Sequence, residues 1–253
     1  MHRGGTSVLA RAVNLLDISA GDPARLMPPT EDNPGGYWEN LRVAQLHDEL
    51  LAHLGGWWSV PPVLEPGWEL DPSLSPFWTW GSQLVQDHFE PYGRCFVKDP
   101  RLCLLLPFWA VLTPIGPTLH GLRHPGSVAS SLARRDGFSA EHGAWLWLRH
   151  VDGAAATTPD ALVVDYDDWF VDPDVVLERV AGHLGVGEPT RRHRAAVRTW
   201  IRDDLRRSDP AAPTGPLAEA AADVHAAVRS RGLPAALDVL AALPFEWRTR
   251  PPA

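Results

Sequence analysis

The segment FVKDPRL, residues 96–102, carries Lys98, the sole lysine of the chain; the other basic residues, histidine aside, are arginines. A compact ammonium on a flexible stem can meet one oxygen of a transferring group where a planar guanidinium would clash or grip two. An indifferent position in so arginine-committed a chain would carry arginine. Asp99, next in sequence, can hold that ammonium in place. The blander alternative is a surface lysine paired with its neighbour.

Three further stretches point to anion or proton chemistry. HRGGTS, residues 2–7, opens a helix. Its glycines let backbone N–H groups turn towards a ligand, Thr6 and Ser7 add hydroxyls, and Arg3 adds charge, which together make an anion cradle. The same residues also read as a glycine turn capping a helix. GxxxxGK[ST] is absent, so this is not a Walker A loop. RHPGSVASS, residues 123–131, places Arg123 and Ser131 where they can share a phosphate, or where they fix a helix start and pack on a sheet. GGYWEN, residues 35–40, sets Glu39 among aromatic residues at a helix start. A carboxylate in apolar surroundings can serve as a general base, or it can complement the helix dipole.

These residues need elements to hold them. Apolar spacing predicts helices over 5–17, 39–55, 79–91, 101–111, 139–156 and 173–185, and a further helix after the loop at 123–128. Short apolar runs at 94–97, 119–122 and 161–164 predict strands. Residues 21–36 read as loop. Residues 56–78 hold Trp57, Trp58, Trp68 and Trp78 among prolines, an ordered or lid-like loop expected to shape an acceptor pocket with Tyr37 and Trp38. The expected fold is α/β, a parallel sheet flanked by helices on both faces, with ligands beyond the carboxyl ends of its strands. One domain over 1–253 is expected, with 189–253 as a helical C-terminal extension.

Composition narrows the partners. The formal charge of −8 argues against a broad nucleic-acid footprint. No apolar run approaches the roughly 20 residues that span a bilayer. Arg11 and Asn14 interrupt the apolar stretch near the N-terminus, so no signal peptide is read there. Cys95 and Cys103 read as buried thiols of a reducing, cytoplasmic compartment, and no histidine pair has metal spacing.

Taken in order, HRGGTS, VKDPRL, LRHPGSVASSL and VVDYDDWFVDPDVVLERVAGHLGV resemble the sulfotransferases that use 3′-phosphoadenosine-5′-phosphosulfate (PAPS), in particular a bacterial branch with a KDPRL segment. The resemblance implies a P-loop-like, sulfotransferase-like fold and sulfuryl transfer from PAPS to a hydroxyl of a small-molecule, glycosylated or lipid acceptor. It implies that Arg3, Gly4, Gly5, Thr6 and Ser7 bind the 5′-phosphosulfate and that Arg123 and Ser131 hold the 3′-phosphate. Lys98 would stabilise the bridging or sulfuryl oxygens, Glu39 would be the base, and Arg206 and Arg207 would meet the nucleotide. No metal is implied. The chain departs from the pattern at Gly4, where the family usually has serine, and in the hydrophobic strand that precedes the loop in the family, for which the residues before Arg3 leave no room. Two alternatives stand beside this reading: an ATP-dependent phosphotransferase of P-loop architecture, and a family member that binds nucleotide without turnover.

Overall fold

In the computed structural model, which describes residues 2–30, 33, 35–201, 215–244, 246–249 and 251–252, helix dominates and the sheet is small. Helix α1 (Thr6–Leu15) leads through a long irregular stretch to α2 (Leu41–His53), α3 (Ser75–His88) and α4 (Leu102–Leu112). Strand β1 (Leu119–Leu122) feeds α5 (Pro125–Asp136) and α6 (Ala140–Thr157), and β2 (Leu162–Asp165) feeds α7 (Pro173–Leu184) and α8 (Arg191–Trp200). Helices α9 (Pro216–Arg231), α10 (Pro234–Leu240) and α11 (Glu246–Thr249) follow.

β1 and β2 pair in parallel, Leu119 opposite Leu162 through Leu122 opposite Asp165. Because successive side chains of a strand point to opposite faces, the pair divides its residues between two cores. Leu119, Leu162 and Val164 join α1, α7 and α8. Leu122 and Val163 join α5, α6, α9 and α10, around Trp145 and Trp147. The α/β arrangement with helices on both faces is therefore present, at the scale of two strands. A third cluster packs Leu46, Leu50 and Leu51 of α2 on Leu84 of α3 and on Leu105 and Phe108 of α4.

The third expected strand, at 94–97, is not formed. Cys95 makes a single parallel bridge to Ser19, through Ser19 N–H to Arg94 O at 3.1 Å and Phe96 N–H to Ser19 O at 2.8 Å. A ladder needs a partner edge about 5 Å away. Between this extended segment and β1 lies instead a cavity of about 520 Å³, lined by residues 94–100 on one side and 118–121 on the other. The apolar run has strand character but pairs only at the single bridge to Ser19.

The tryptophan-rich segment is built into 3₁₀ turns at Trp68–Leu70 and Pro72–Leu74. Trp68 and Trp78 cover the α2–α3–α4 cluster, and Trp58 lies against Phe138, ring centroids 5.7 Å apart. In the C-terminal part, α9 and α10 contribute Ala221, Val224, Val228 and Leu240 to the core around α6. Cys95 and Cys103 are half-buried rather than buried. Among the described residues, no helix is long and apolar enough to cross a membrane.

His120, which lines the cavity beside β1, and His150, enclosed in the core, are both drawn towards the neutral form. Burial lowers the His120 pKa to about 3, and burial likewise holds His150, whose Nδ1 lies 2.8 Å from Leu146 O, well below the ordinary value. A group whose pKa is depressed on folding binds a proton more readily in the unfolded chain, so stability is present above the unfolded histidine pKa and is lost as pH falls. Each such histidine removes about 1.4 kcal/mol per pH unit below roughly pH 6.5. Thermal melts at a series of pH values are expected to show the midpoint falling steadily from pH 6.5 to 5; a flat midpoint over that range would contradict the burial of both rings.

Candidate functional site

The cradle at the start of α1 has unusual backbone geometry. Arg3 and Gly5 both lie in the left-handed region, at φ 61° and 77°. At Gly5 no other residue fits: a Cβ there would come within 2.5 Å of Tyr166 Cδ2. At Arg3 the surroundings hold the strained residue. Its Nε donates to Ser131 Oγ of α5 at 2.7 Å, and its carbonyl accepts from Arg123 Nη1 at 3.0 Å. Gly4 is buried beneath, its carbonyl 3.4 Å from where a Cβ on Gly121 of β1 would stand. The loop is thus fastened to β1, to α5 and to the turn after β2, although no strand among the described residues precedes it.

Arg123 leaves the end of β1. Its guanidinium lies 4.4 Å over the Tyr166 ring, and its carbonyl accepts from Trp147 Nε1 at 3.0 Å. Tyr166 follows the end of β2 and donates its N–H to Leu122 O at 2.8 Å. One phenol ring therefore packs against Gly5 on the loop and carries Arg123.

Lys98 arrives from the extended segment 94–98. Its ammonium pairs with Glu39 Oε1 and donates to Tyr37 O at 2.8 Å and to Ser7 Oγ at 3.4 Å. Glu39 does not sit in the first turn of α2. It precedes the cap, Asn40, whose Oδ1 accepts from Arg42 N–H and Val43 N–H. Glu39 is 5% exposed, its carbonyl accepts from Met27 N–H at 2.8 Å, and its Oε2 is buried with no hydrogen-bond partner among the described residues. Burial pushes the Glu39 carboxyl above the ordinary glutamate range, against the pull of Lys98. Burial pulls the Lys98 ammonium below the ordinary lysine range, against the pull of Glu39.

Asp99 does not serve the ammonium. It faces the other way, into a buried network of its own. Arg101 grips it with Nε to Oδ1 and Nη2 to Oδ2, both 2.9 Å, and Arg101 N–H donates to Oδ1 at 2.8 Å. His47 Nδ1 stands 3.3 Å from Oδ1, while Trp109 Nε1 donates to His47 Nε2 at 2.8 Å. An imidazole that accepts at Nε2 carries its proton on Nδ1, facing Asp99. Burial alone would raise the Asp99 carboxyl, but His47 and Arg101 hold it well below the usual range. Arg101 also donates to Ala44 O at 3.2 Å and pairs with Asp48. Residues 98–101 are thereby fastened along α2 at three levels, and this register brings Lys98 to Glu39.

These side chains surround a cavity of about 430 Å³ beyond the ends of β1 and β2. Arg3, Gly5, Thr6, Ser7, Glu39, Lys98 and Arg123 line it. Of the residues expected at the site, Gly4 and Ser131 do not: Gly4 supports the loop from below, and Ser131, 3% exposed, is bonded to Arg3. The segment 57–80 contributes nothing to the described lining: Trp68, Trp78 and Trp80 pack on the α2–α3–α4 core, Trp58 touches both that core and the one around α6, and Trp57 is exposed. The aromatic walls are Tyr37, Tyr166, Phe170 and Trp200. Arg135 adds charge, and Asn33 donates to Ser7 Oγ at 3.2 Å. Tyr166 and Trp200 escaped the sequence reading; the position of Tyr166 two residues after the β run at 161–164 was the available signal. His2 lines the cavity, whereas His124 caps α5 by accepting Gly126 N–H. Arg206 and Arg207 lie outside the described residues.

No family model, curated protein or solved structure matches this chain. The site therefore stands on its own geometry: cations and helix N–H groups on one wall, and an ion pair whose two members are both drawn towards neutrality on the other. Removing Asp99 tests the support beneath it. Asp99→Ala strips the buried Arg101 of its two-pronged partner, leaving it only the half-exposed Asp48, and is expected to cost about 3–5 kcal/mol, read from chemical denaturation. A loss below about 1 kcal/mol, the range of an exposed pair, would show that the network does not carry the turn.

Proposed function

We propose that this cavity binds PAPS and catalyses in-line transfer of its sulfuryl group to a hydroxyl of a small-molecule, glycosylated or lipid acceptor. The observation that carries the reading is the convergence of Arg3, Lys98, Arg123 and the first turn of α1 with the carboxylate of Glu39 on one cavity, in a chain of net charge −8. Such a concentration of positive potential against the overall charge selects an anionic ligand, and the N–H groups of a first helical turn have no intrahelical acceptor. When bound, PAPS supplies the sulfuryl group. The chain's residues position it and manage protons and charge.

Arg3 and the α1 turn hold the phosphosulfate end, and Arg123, over the Tyr166 ring, takes the nucleotide's second phosphate. This differs from a direct Arg123–Ser131 clamp, since Ser131 acts through Arg3. Ser7 Oγ, approached by Asn33 and Lys98 as donors, keeps its own hydrogen for an anionic oxygen. The acceptor hydroxyl gives its proton to the Glu39 carboxylate, which lines the cavity. As Glu39 takes the proton, its hold on Lys98 weakens, and the ammonium turns to the charge developing on the bridging oxygen. Catalysis of this kind is positioning and electrostatic stabilisation.

Lys98→Arg keeps the charge and loses the single point contact. Its kcat on PAPS is expected to fall at least about 100-fold, while calorimetry finds the affinity for 3′,5′-ADP changed by only a few-fold. An unaltered kcat would remove Lys98 from the mechanism. Binding of ATP with Mg²⁺ in preference to 3′,5′-ADP would favour phosphoryl transfer. Binding of 3′,5′-ADP with no turnover on any acceptor would leave a binding protein.

The ion pair also sets a pH profile. Glu39 must be ionised to accept a proton, and its pKa is raised, so kcat climbs only above the ordinary glutamate range. Lys98 must be protonated, and its pKa is lowered, so kcat declines before the ordinary lysine range. The expected bell is narrower than an unperturbed glutamate and lysine would draw. Glu39→Gln should erase the acidic limb along with about 10²–10⁴ of the rate; an acidic limb that survives the substitution assigns the base elsewhere.

A further inference from the structure

Sulfuryl transfer uses Lys98 as a cation and leaves its nucleophilic form idle. We infer that the same cavity captures small aldehydes bearing a phosphate group, as an imine on Lys98 Nζ with Glu39 as the proton carrier. This does not rest on the sulfuryl-transfer reading.

Three observations meet in one place. The amine lines a cavity of about 430 Å³, large enough for a phosphorylated aldehyde of small-molecule size. Arg3, Arg123 and the first turn of α1 on the same cavity supply a phosphate seat. Glu39 touches Nζ through Oε1 and keeps a buried, unpartnered Oε2, so one carboxyl can take a proton from nitrogen and return it to oxygen. Burial supports the chemistry by drawing Lys98 towards the neutral amine and Glu39 towards the neutral acid, the two forms that imine formation consumes.

The step balances without an outside reagent. The Lys98 ammonium gives a proton to Glu39, and the freed lone pair attacks the carbonyl carbon, forming the C–N bond. The carbonyl oxygen takes the proton held by Glu39, and the new N–H proton passes back to the carboxylate, leaving a carbinolamine. Glu39 then protonates its hydroxyl, the C–O bond breaks, and water leaves. The net change is an ammonium and an aldehyde becoming a protonated imine and water, with Glu39 ionised as at the start and no change in oxidation state. Nothing in this competes with the buried Asp99, which faces His47 and Arg101.

Because Lys98 is the only lysine, the test is clean. The full chain is incubated with pyridoxal 5′-phosphate, reduced with borohydride, digested and mapped by mass spectrometry. The expected result is one adduct at Lys98, suppressed by inorganic phosphate, and formed at least roughly tenfold faster than with pyridoxal, which lacks the phosphate. Glu39→Gln should slow the adduct by a factor on the order of 10² while phosphate competes at an unchanged concentration, which shows the cavity intact. The mapping itself uses the unaltered chain, so it depends on no variant folding. Labelling confined to the α-amino group, equal rates for pyridoxal and its phosphate, or an undiminished rate in Glu39→Gln would each overturn the inference. PAPS takes no part, so labelling confined to the α-amino group leaves sulfuryl transfer standing, and failed turnover of PAPS leaves the imine standing; equal rates for pyridoxal and its phosphate would count against the phosphate seat that both share.

Discussion

A carboxylate withdrawn from water must be met by charge and hydrogen bonds, or it does not stay ionised. Asp99 is met on both oxygens by Arg101 and on one by His47, whose tautomer is set by Trp109. The remaining valence of Arg101 goes to α2, at Ala44 and Asp48. The turn at 98–101 therefore cannot slide along α2 without stripping a buried ion of its partners. Lys98 is the first residue of that turn and Glu39 is one residue before the α2 cap. Their contact follows from a register fixed by groups that take no part in the chemistry.

The other wall depends on contact of a different kind. Tyr166 touches the loop at Gly5, where a side chain would collide with it, and supports Arg123 with its face. Arg3 then ties the loop to α5 through Ser131. A short parallel pair is enough to organise this, because β1 and β2 end side by side and each delivers one member of the Arg123–Tyr166 stack just beyond its carboxyl end. Ligands gather at this end of parallel sheets for that reason. The two walls meet at Ser7, which Lys98 and Asn33 both approach.

Much of the element order was legible. Periodicity placed β1 at 119–122 and the seven helices from α1 to α7 within a few residues of where they lie, because amphipathic spacing is a local property. It failed where the outcome depends on a neighbour. Residues 94–97 have the composition of a strand, yet face a cavity across from β1. Of the tryptophans in 57–80, Trp68, Trp78 and Trp80 are packed against α2, α3 and α4 rather than around a ligand, while Trp57 stays exposed. Glu39 was assigned to a first turn that Asn40 in fact opens. Ser131, read as sharing a phosphate with Arg123, accepts from Arg3 Nε, a contact that spacing does not show.

By itself the sequence determined which residues hold unusual chemistry: one lysine among arginines, glycines that admit left-handed backbone, a glutamate in apolar company, arginines following strands. These are statements about residue type and short-range spacing, and a chain carries them whether or not it folds. Partnership is another matter. That Lys98 meets Glu39 and not its neighbour Asp99, that Arg3 takes Ser131, and that Tyr166 binds the loop to Arg123 were decided only in three dimensions. Each pairing spans dozens of residues along the chain and is selected by which buried charge would otherwise lie uncompensated, a condition that exists only once the core has closed around it.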